Sequence, residues 1–230
     1  MTASRHPIVL ITGFGPFPGQ PQNASGLLAG RLAGLAGGRM PEYAFISATL
    51  PTEWRAGPSR LAELLAEHAP AIALHFGVSS RADGFVIETC ARNVRASLLD
   101  ACGEAPPEAC VTADGPDTLA CTLPTSEIAA RLDALSLPTE VSSDAGDYLC
   151  NAILYHSLWE ARSRCDARVS MRGFVHIPDA LIADAPYAVN RGWRPAVPSR
   201  LNWDQAVTGG LAVLEACAGG NRDDVVPIPN

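Results

Sequence analysis

The chain has 230 residues, 47% of them apolar, 18% charged and 6% aromatic, enough apolar material for one sizeable core and too little charge for a disordered chain. Its formal charge of −7, with no run of Lys or Arg, argues against a nucleic-acid partner, because phosphate backbones are bound by clustered cations. Met1 to Ile11 lacks the long apolar stretch and cleavage site of a leader, and no run of about 18 apolar residues offers a membrane span, so a cytoplasmic protein is expected.

Pro7 to Thr12 is a β-branched run that predicts a buried strand leading into the loop Gly13-Phe-Gly-Pro-Phe-Pro-Gly19. Asn23 is placed to cap a helix that carries Leu27, Leu28, Leu32 and Leu35. Tyr43–Leu50 predicts a strand, Ser59–His68 a helix, Ala71–Phe76 a second buried strand and Gly84–Val94 a further one. Asp100–Thr122, rich in Pro, Gly, Cys and Ala, reads as an irregular excursion.

Ser126–Leu135 then predicts a helix, Thr139–Ser142 a short strand, and Tyr148–Ala161 a helix with Cys150 in its first turn. Arg168–Ile177 is the last strand and Trp203–Cys217 the last helix. This alternation predicts a single α/β domain over residues 1–218, a mostly parallel twisted sheet with helices on both faces. Residues 219–230 are expected to form a loosely held tail.

The seven cysteines (Cys90, Cys102, Cys110, Cys121, Cys150, Cys165 and Cys217) are odd in number, irregular in spacing and without a C-x-x-C, which favours reduced thiols over a disulfide framework or a zinc site. Among them Cys150 is distinctive. A helix N-terminus supplies free N–H groups and partial positive charge, both of which favour a thiolate. Asp144 and Asp147 nearby oppose it, so a base is needed. His176, at the end of an apolar strand, can supply one, and Glu88 can orient the imidazole. His75 and His156 compete for the same role, and the loop Gly13–Gly19 fits neither common phosphate-binding pattern.

Several ordered blocks then resemble the pyroglutamyl peptidase I family of cysteine peptidases. They are Ile11-Thr-Gly-Phe-Gly-Pro-Phe17 with Asn23-Ala-Ser25, His75 to Ser79 running on to Ile87-Glu-Thr-Cys-Ala-Arg-Asn93, Asp114-Gly-Pro-Asp117 with Thr122-Leu-Pro124, Ser143 to Asn151, and Phe174-Val-His-Ile-Pro178. The resemblance implies a phosphorylase-like sandwich and hydrolysis after an N-terminal pyroglutamyl residue through a thioester. It implies Cys150 as nucleophile, His176 as base and then acid, and Glu88 as the residue that orients His176. The ring pocket it implies consists of Phe14 and Phe17 with Asn23, Tyr148 and Leu149 beside them.

No cofactor or metal is implied, the partners are peptides beginning with pyroglutamate, and both monomers and small homo-oligomers occur in the family. A related thiol amidase acting on another small lactam or acyl group, or a silent pyroglutamyl-binding relative, are the alternatives. Pro18 stands where the family commonly has glycine, and Asp179–Arg200 has no clear counterpart.

Overall fold

The computed structural model describes residues 6–163, 170–186 and 198–219. Six strands form the main sheet: β1 (Ile8–Phe14), β2 (Ala44–Leu50), β3 (Ile72–Ser79), β4 (Phe85–Glu88), β7 (Thr139–Ser142) and β8 (Met171–Pro178), in the order β2-β1-β3-β8-β4-β7. Neighbours run parallel except β4, which is antiparallel to β8 and parallel to β7. A separate two-stranded ribbon pairs β5 (Cys90–Arg92) with β6 (Thr118–Ala120).

The helices are α1 (Ala24–Ala36), α2 (Ala56–His68), α3 (Thr125–Ala134), α4 (Leu149–Ser163) and α5 (Trp203–Gly219). Strand side chains alternate between two cores. Val9, Ile11, Leu74, Ile87 and Val175 join Leu28 of α1, Ile128 of α3 and Leu211 of α5 on one side. Leu10, Phe14, Ala73 and Phe174 join Leu61 of α2 and Ile153 of α4 on the other. The expected sandwich with helices on both faces is therefore the observed one. His176 and Glu88 are two residues beyond Phe174 and Val86 on their strands, which puts both on the side of α4.

Three expectations are corrected. The strand expected at Gly84–Val94 breaks at Thr89, whose N–H donates to Ser142 O while its C=O accepts from Cys121, so β4 stays in the main sheet and β5 leaves for the ribbon. Cys90 therefore does not continue the strand face of Glu88. The irregular excursion also contains β6, which is only three residues long and flanked by turn-forming residues, and so carries no periodic signal. Helix α2 starts at Ala56, three residues early, because Pro58 is tolerated in a first turn.

Asp179–Ala183 forms one short 3-10 turn directly after β8. Residues 187–197 of the segment without a family counterpart, the expected start of the last strand at Arg168, Cys165 and the tail beyond Gly219 lie outside the described residues.

The opening loop is organised by three small features. Phe17 and Gln20 exchange backbone hydrogen bonds around Pro18-Gly19, and Gly19 has φ +84°, the arrangement of a type II turn with proline second and glycine third. Pro18 is thus suited to its place. Asn23 caps α1, its Oδ1 accepting from Ser25 N at 3.1 Å and its Nδ2 donating to Gly15 O at 3.1 Å. Finally, the end of β1 crosses the first turn of α1 so closely that a Cβ on Gly13 lies 2.2 Å from Ser25 O.

Backbone cannot yield there as a side chain can. Gly13→Ala is expected to destabilise the fold by about 1–3 kcal/mol, read as a lower urea midpoint with an unchanged slope.

Candidate active site

Strand β8 lies between β3 and β4 with all eight residues buried, and His176 stands near its carboxyl end. Its register partners are Gly77 on β3 and Val86 on β4. Glu88 is opposite Phe174 on β4, a diagonal neighbour of His176 on the same face and within reach of a long side chain. The result is a hydrogen bond from His176 Nδ1 to Glu88 Oε1 at 2.8 Å, with both side chains buried. Nε2 is left on the side away from Glu88, and Cys150 is close enough to act on the charge of the ring.

Cys150 reaches that position from α4. Ala152 N donates to Tyr148 O at 3.1 Å as the first helical bond, so the amides of Leu149, Cys150 and Asn151 precede it at the helix start. Asn151 fixes the start of the helix against β5: its Oδ1 accepts from Arg92 N at 2.8 Å and its Nδ2 donates to Arg92 O at 2.8 Å. Arg92 Nη2 in turn donates to Asp144 Oδ1 at 2.9 Å. Of the two acidic groups expected to oppose a thiolate, Asp144 is thus exposed and paired, which weakens its field at Cys150, and Asp147 is exposed to water.

Gly77 provides the space. A Cβ built there lies 2.9 Å from Cys150 Sγ and 2.5 Å from Phe174 Cζ. The Phe174 ring lies 4.8 Å from the His176 ring and 6.4 Å from that of Phe14, between centroids, which links the imidazole to the wall of the adjoining cavity.

The charges follow from these neighbours. Burial alone acts to lower the His176 pKa, but the charge and hydrogen bond of Cys150, then those of Glu88, outweigh it and raise it from 6.5 to about 9. His75, fully buried, is lowered to about 3 by burial and then by the Arg172 cation, and His156 to about 4 by burial and then by Arg95. Neither competing histidine can collect a proton near neutrality.

The other cysteines divide similarly. Burial, then the Glu88 charge, pushes Cys90 up; burial pushes Cys121 up to about 12 and raises Cys217; a hydrogen bond to Glu53 raises the exposed Cys102. Cys90 also donates to Ser143 O at 3.0 Å, which holds it further in the thiol form.

Beside Cys150 opens a cavity of about 80 Å³ lined by Phe14, Phe17, Asn23, Thr52, Val78, Tyr148 and Leu149. That is small against the roughly 300–1,000 Å³ of pockets for drug-sized ligands. All five residues expected at a ring pocket line it. Asn23 does so with its amide already committed to the loop.

Thr52 was not anticipated, and Val78, Gly77, Arg92 and Asn151, though inside the resembling blocks, were given no role. The first three stand at or just past the carboxyl ends of β2 and β3, where sites gather in open sheets, and that position was the available signal. Among the described residues no group of three or more His, Cys, Asp or Glu side chains could hold a metal ion.

Comparison with known proteins agrees with the resemblance. The family model described as Pyroglutamyl peptidase matches residues 7–217. Pyroglutamyl-peptidase 1 of Mus musculus is 31% identical over 172 residues, 74% of this chain and 78% of its own. Pyrrolidone-carboxylate peptidase of Bacillus cereus is 34% identical over 171 residues, 74% of this chain and 77% of its own. The crystal structure of Bacillus amyloliquefaciens pyroglutamyl peptidase I matches with a TM-score of 0.79 at 26% identity, covering 95% of this chain and 100% of the other. A mutant pyrrolidone carboxyl peptidase from Pyrococcus furiosus matches at the same 0.79 and 26%, covering 92% and 98%.

Gly77→Ala forces Sγ and the Phe174 ring apart, so Cys150 in this variant is expected to lose its imidazole partner. Alkylation of Cys150 by iodoacetamide at pH 7 should slow by about tenfold or more, as followed by peptide mass mapping.

Proposed function

This chain belongs to the pyroglutamyl peptidase family and is a cysteine exopeptidase acting on N-terminal pyroglutamate; from that premise we propose that Cys150, His176 and Glu88 carry the reaction. The observation that supports the assignment best is the His176 imidazole, bonded to Glu88 at 2.8 Å, with Cys150 Sγ standing over Gly77, the register partner of His176 on the neighbouring strand.

In this reading Cys150 and His176 rest as thiolate and imidazolium. The pyroglutamyl ring enters the cavity of Phe14, Phe17, Tyr148 and Leu149, where an uncharged flat lactam loses little by leaving water. Sγ attacks the carbonyl carbon that joins the ring to the next residue. Negative charge then develops on the carbonyl oxygen, and the amides at the start of α4 are suited to receive it. Collapse breaks the C–N bond, and the leaving amine takes the proton of His176 Nε2, so a thioester remains on Cys150.

Water then gives a proton to His176 and adds to the thioester. Release of pyroglutamic acid restores thiolate and imidazolium. Glu88 holds one tautomer throughout and stabilises the charged ring. The substrate has no free α-amine, and the cavity accordingly has no carboxylate among its lining residues to pair with one. We infer a cytoplasmic location as well, supported by six free thiols among the described residues.

Release of a fluorogenic amine from pyroglutamyl and prolyl versions of one compound tests the assignment. Wild type is expected to cleave the pyroglutamyl compound alone, because prolyl carries a charged ring nitrogen into an apolar cavity. Cys150→Ala should cleave neither, and turnover by that variant would refute the nucleophile.

The pH dependence has a definite sign. Activity that needs the His176 imidazolium is expected to fall as pH rises through about 9. Because the folded pKa lies above the ordinary 6.5, the stability linked to this group is fully present below pH 6.5 and lost as pH rises through about 9. Glu88→Gln removes one of the raising contacts, so the alkaline limb of its kcat/KM profile should move to lower pH.

A further inference from the structure

One buried titratable group takes no part in this chemistry. His75 on β3 is fully buried, yet both ring nitrogens are bonded to hydroxyls: Nδ1 lies 2.7 Å from Thr12 Oγ1 and Nε2 lies 2.8 Å from Ser157 Oγ. Thr12 and His75 are register partners on adjacent parallel strands, and Ser157, itself buried, belongs to α4. The chain of three therefore crosses from β1 through β3 to the helix that carries Cys150.

We propose that Thr12, His75 and Ser157 are positioning residues that hold α4 at the height and rotation from which Cys150 Sγ meets His176. The inference rests on the reading of Cys150 as nucleophile and adds the device that places it.

The spacing carries the proposal. Cys150 and Ser157 are seven residues apart, two helical turns, and so present the same side of α4 to the sheet. His75 and Gly77 are two residues apart on β3 and present the same face to α4. One pair sets contact without a bond, Cys150 Sγ over the bare Gly77, where an added Cβ lies 2.9 Å away. The other pair sets a bond, His75 to Ser157. A helix held against a strand at two points about two turns apart can neither roll nor slide without breaking the second point or crowding the first.

A neutral imidazole suits this role because it offers one donor and one acceptor, and each hydroxyl can complement either. Burial favours the neutral form, and the Arg172 cation favours it further, so the ring stays uncharged where His176 does not. Leu or Phe would fill the same volume without fixing rotation. The aromatic ring is also too deeply buried and too fully bonded to serve as a second base.

The test compares kcat and KM in wild type, Ser157→Ala, Thr12→Val and Cys150→Ala, and Cys150 alkylation in the first three. Cys150→Ala must be inactive for the underlying reading to stand, and this control separates failure of that reading from failure of the present one. With it satisfied, Ser157→Ala and Thr12→Val are expected to lower kcat about tenfold or more, with KM within about twofold, since displacing a reacting atom by about 1 Å costs up to 10²-fold. Alkylation of Cys150 should slow in parallel.

A kcat within about twofold of wild type in both variants, with only the melting temperature lowered, overturns the proposal and leaves the three residues a purely structural role. A measurement without substitution stands beside this: in wild type the His75 ring nitrogens should show one protonated and one bare nitrogen by NMR at every pH from 5 to 9. Titration of His75 within that window also overturns it.

Discussion

The site depends on an absence, the missing side chain at Gly77. Beside His176 in the sheet, it leaves the room in which α4 brings a thiol down to the level of an imidazole that is itself part of a buried strand. From that one space the other requirements follow. Phe174 must take the room under Sγ, Asn151 must tie the start of α4 to β5, and the loop before it must turn sharply, which Gly146 does at φ +82°. A side chain at residue 77 meets the Phe174 ring and Cys150 Sγ, so it must displace the two groups that border the imidazole.

Electrostatics build on this geometry. Two histidines stand buried on neighbouring strands, and their fates diverge through their neighbours. His75 faces two hydroxyls and feels the Arg172 cation; His176 faces a thiol and a carboxylate. One is driven to a neutral spacer, the other to a cation at neutral pH. Burial acts in the same direction on both, so desolvation does not distinguish them, and the sign is decided by which charges the fold has brought within reach. A buried carboxylate such as Glu88 is itself costly unless paired, and the imidazolium is the partner that makes it tolerable.

Much of this was legible in the sequence because long periodic elements speak for themselves. The strand at Pro7–Thr12, the Asn23 cap, the short strand Thr139–Ser142 and the helix that begins beside Cys150 all followed from apolar spacing and capping chemistry. Ordered blocks around Glu88, Cys150 and His176 pointed to a triad that spacing alone could not select from its competitors. What escaped was non-local. Nothing in Gly84–Val94 announces a break at Thr89, because the break is made by pairing with Ser142 and Cys121, residues far along the chain. Thr52 and Val78 join the cavity through sheet order, and Gly77 matters only once α4 lies above it. His75 appeared as a rival base because a sequence gives its type and not its partners.

The central claim is that one thiol of seven is made reactive by where α4 begins. A pyroglutamyl chloromethyl ketone, whose ring should seek the cavity and whose methylene should meet the thiolate, followed by peptide mass mapping at complete inactivation, tests it directly. The account predicts one equivalent of label, on Cys150, with the other cysteines unmodified and protection by added pyroglutamate. Complete inactivation with the label on Cys90, Cys102 or any other cysteine, and Cys150 untouched, would contradict it.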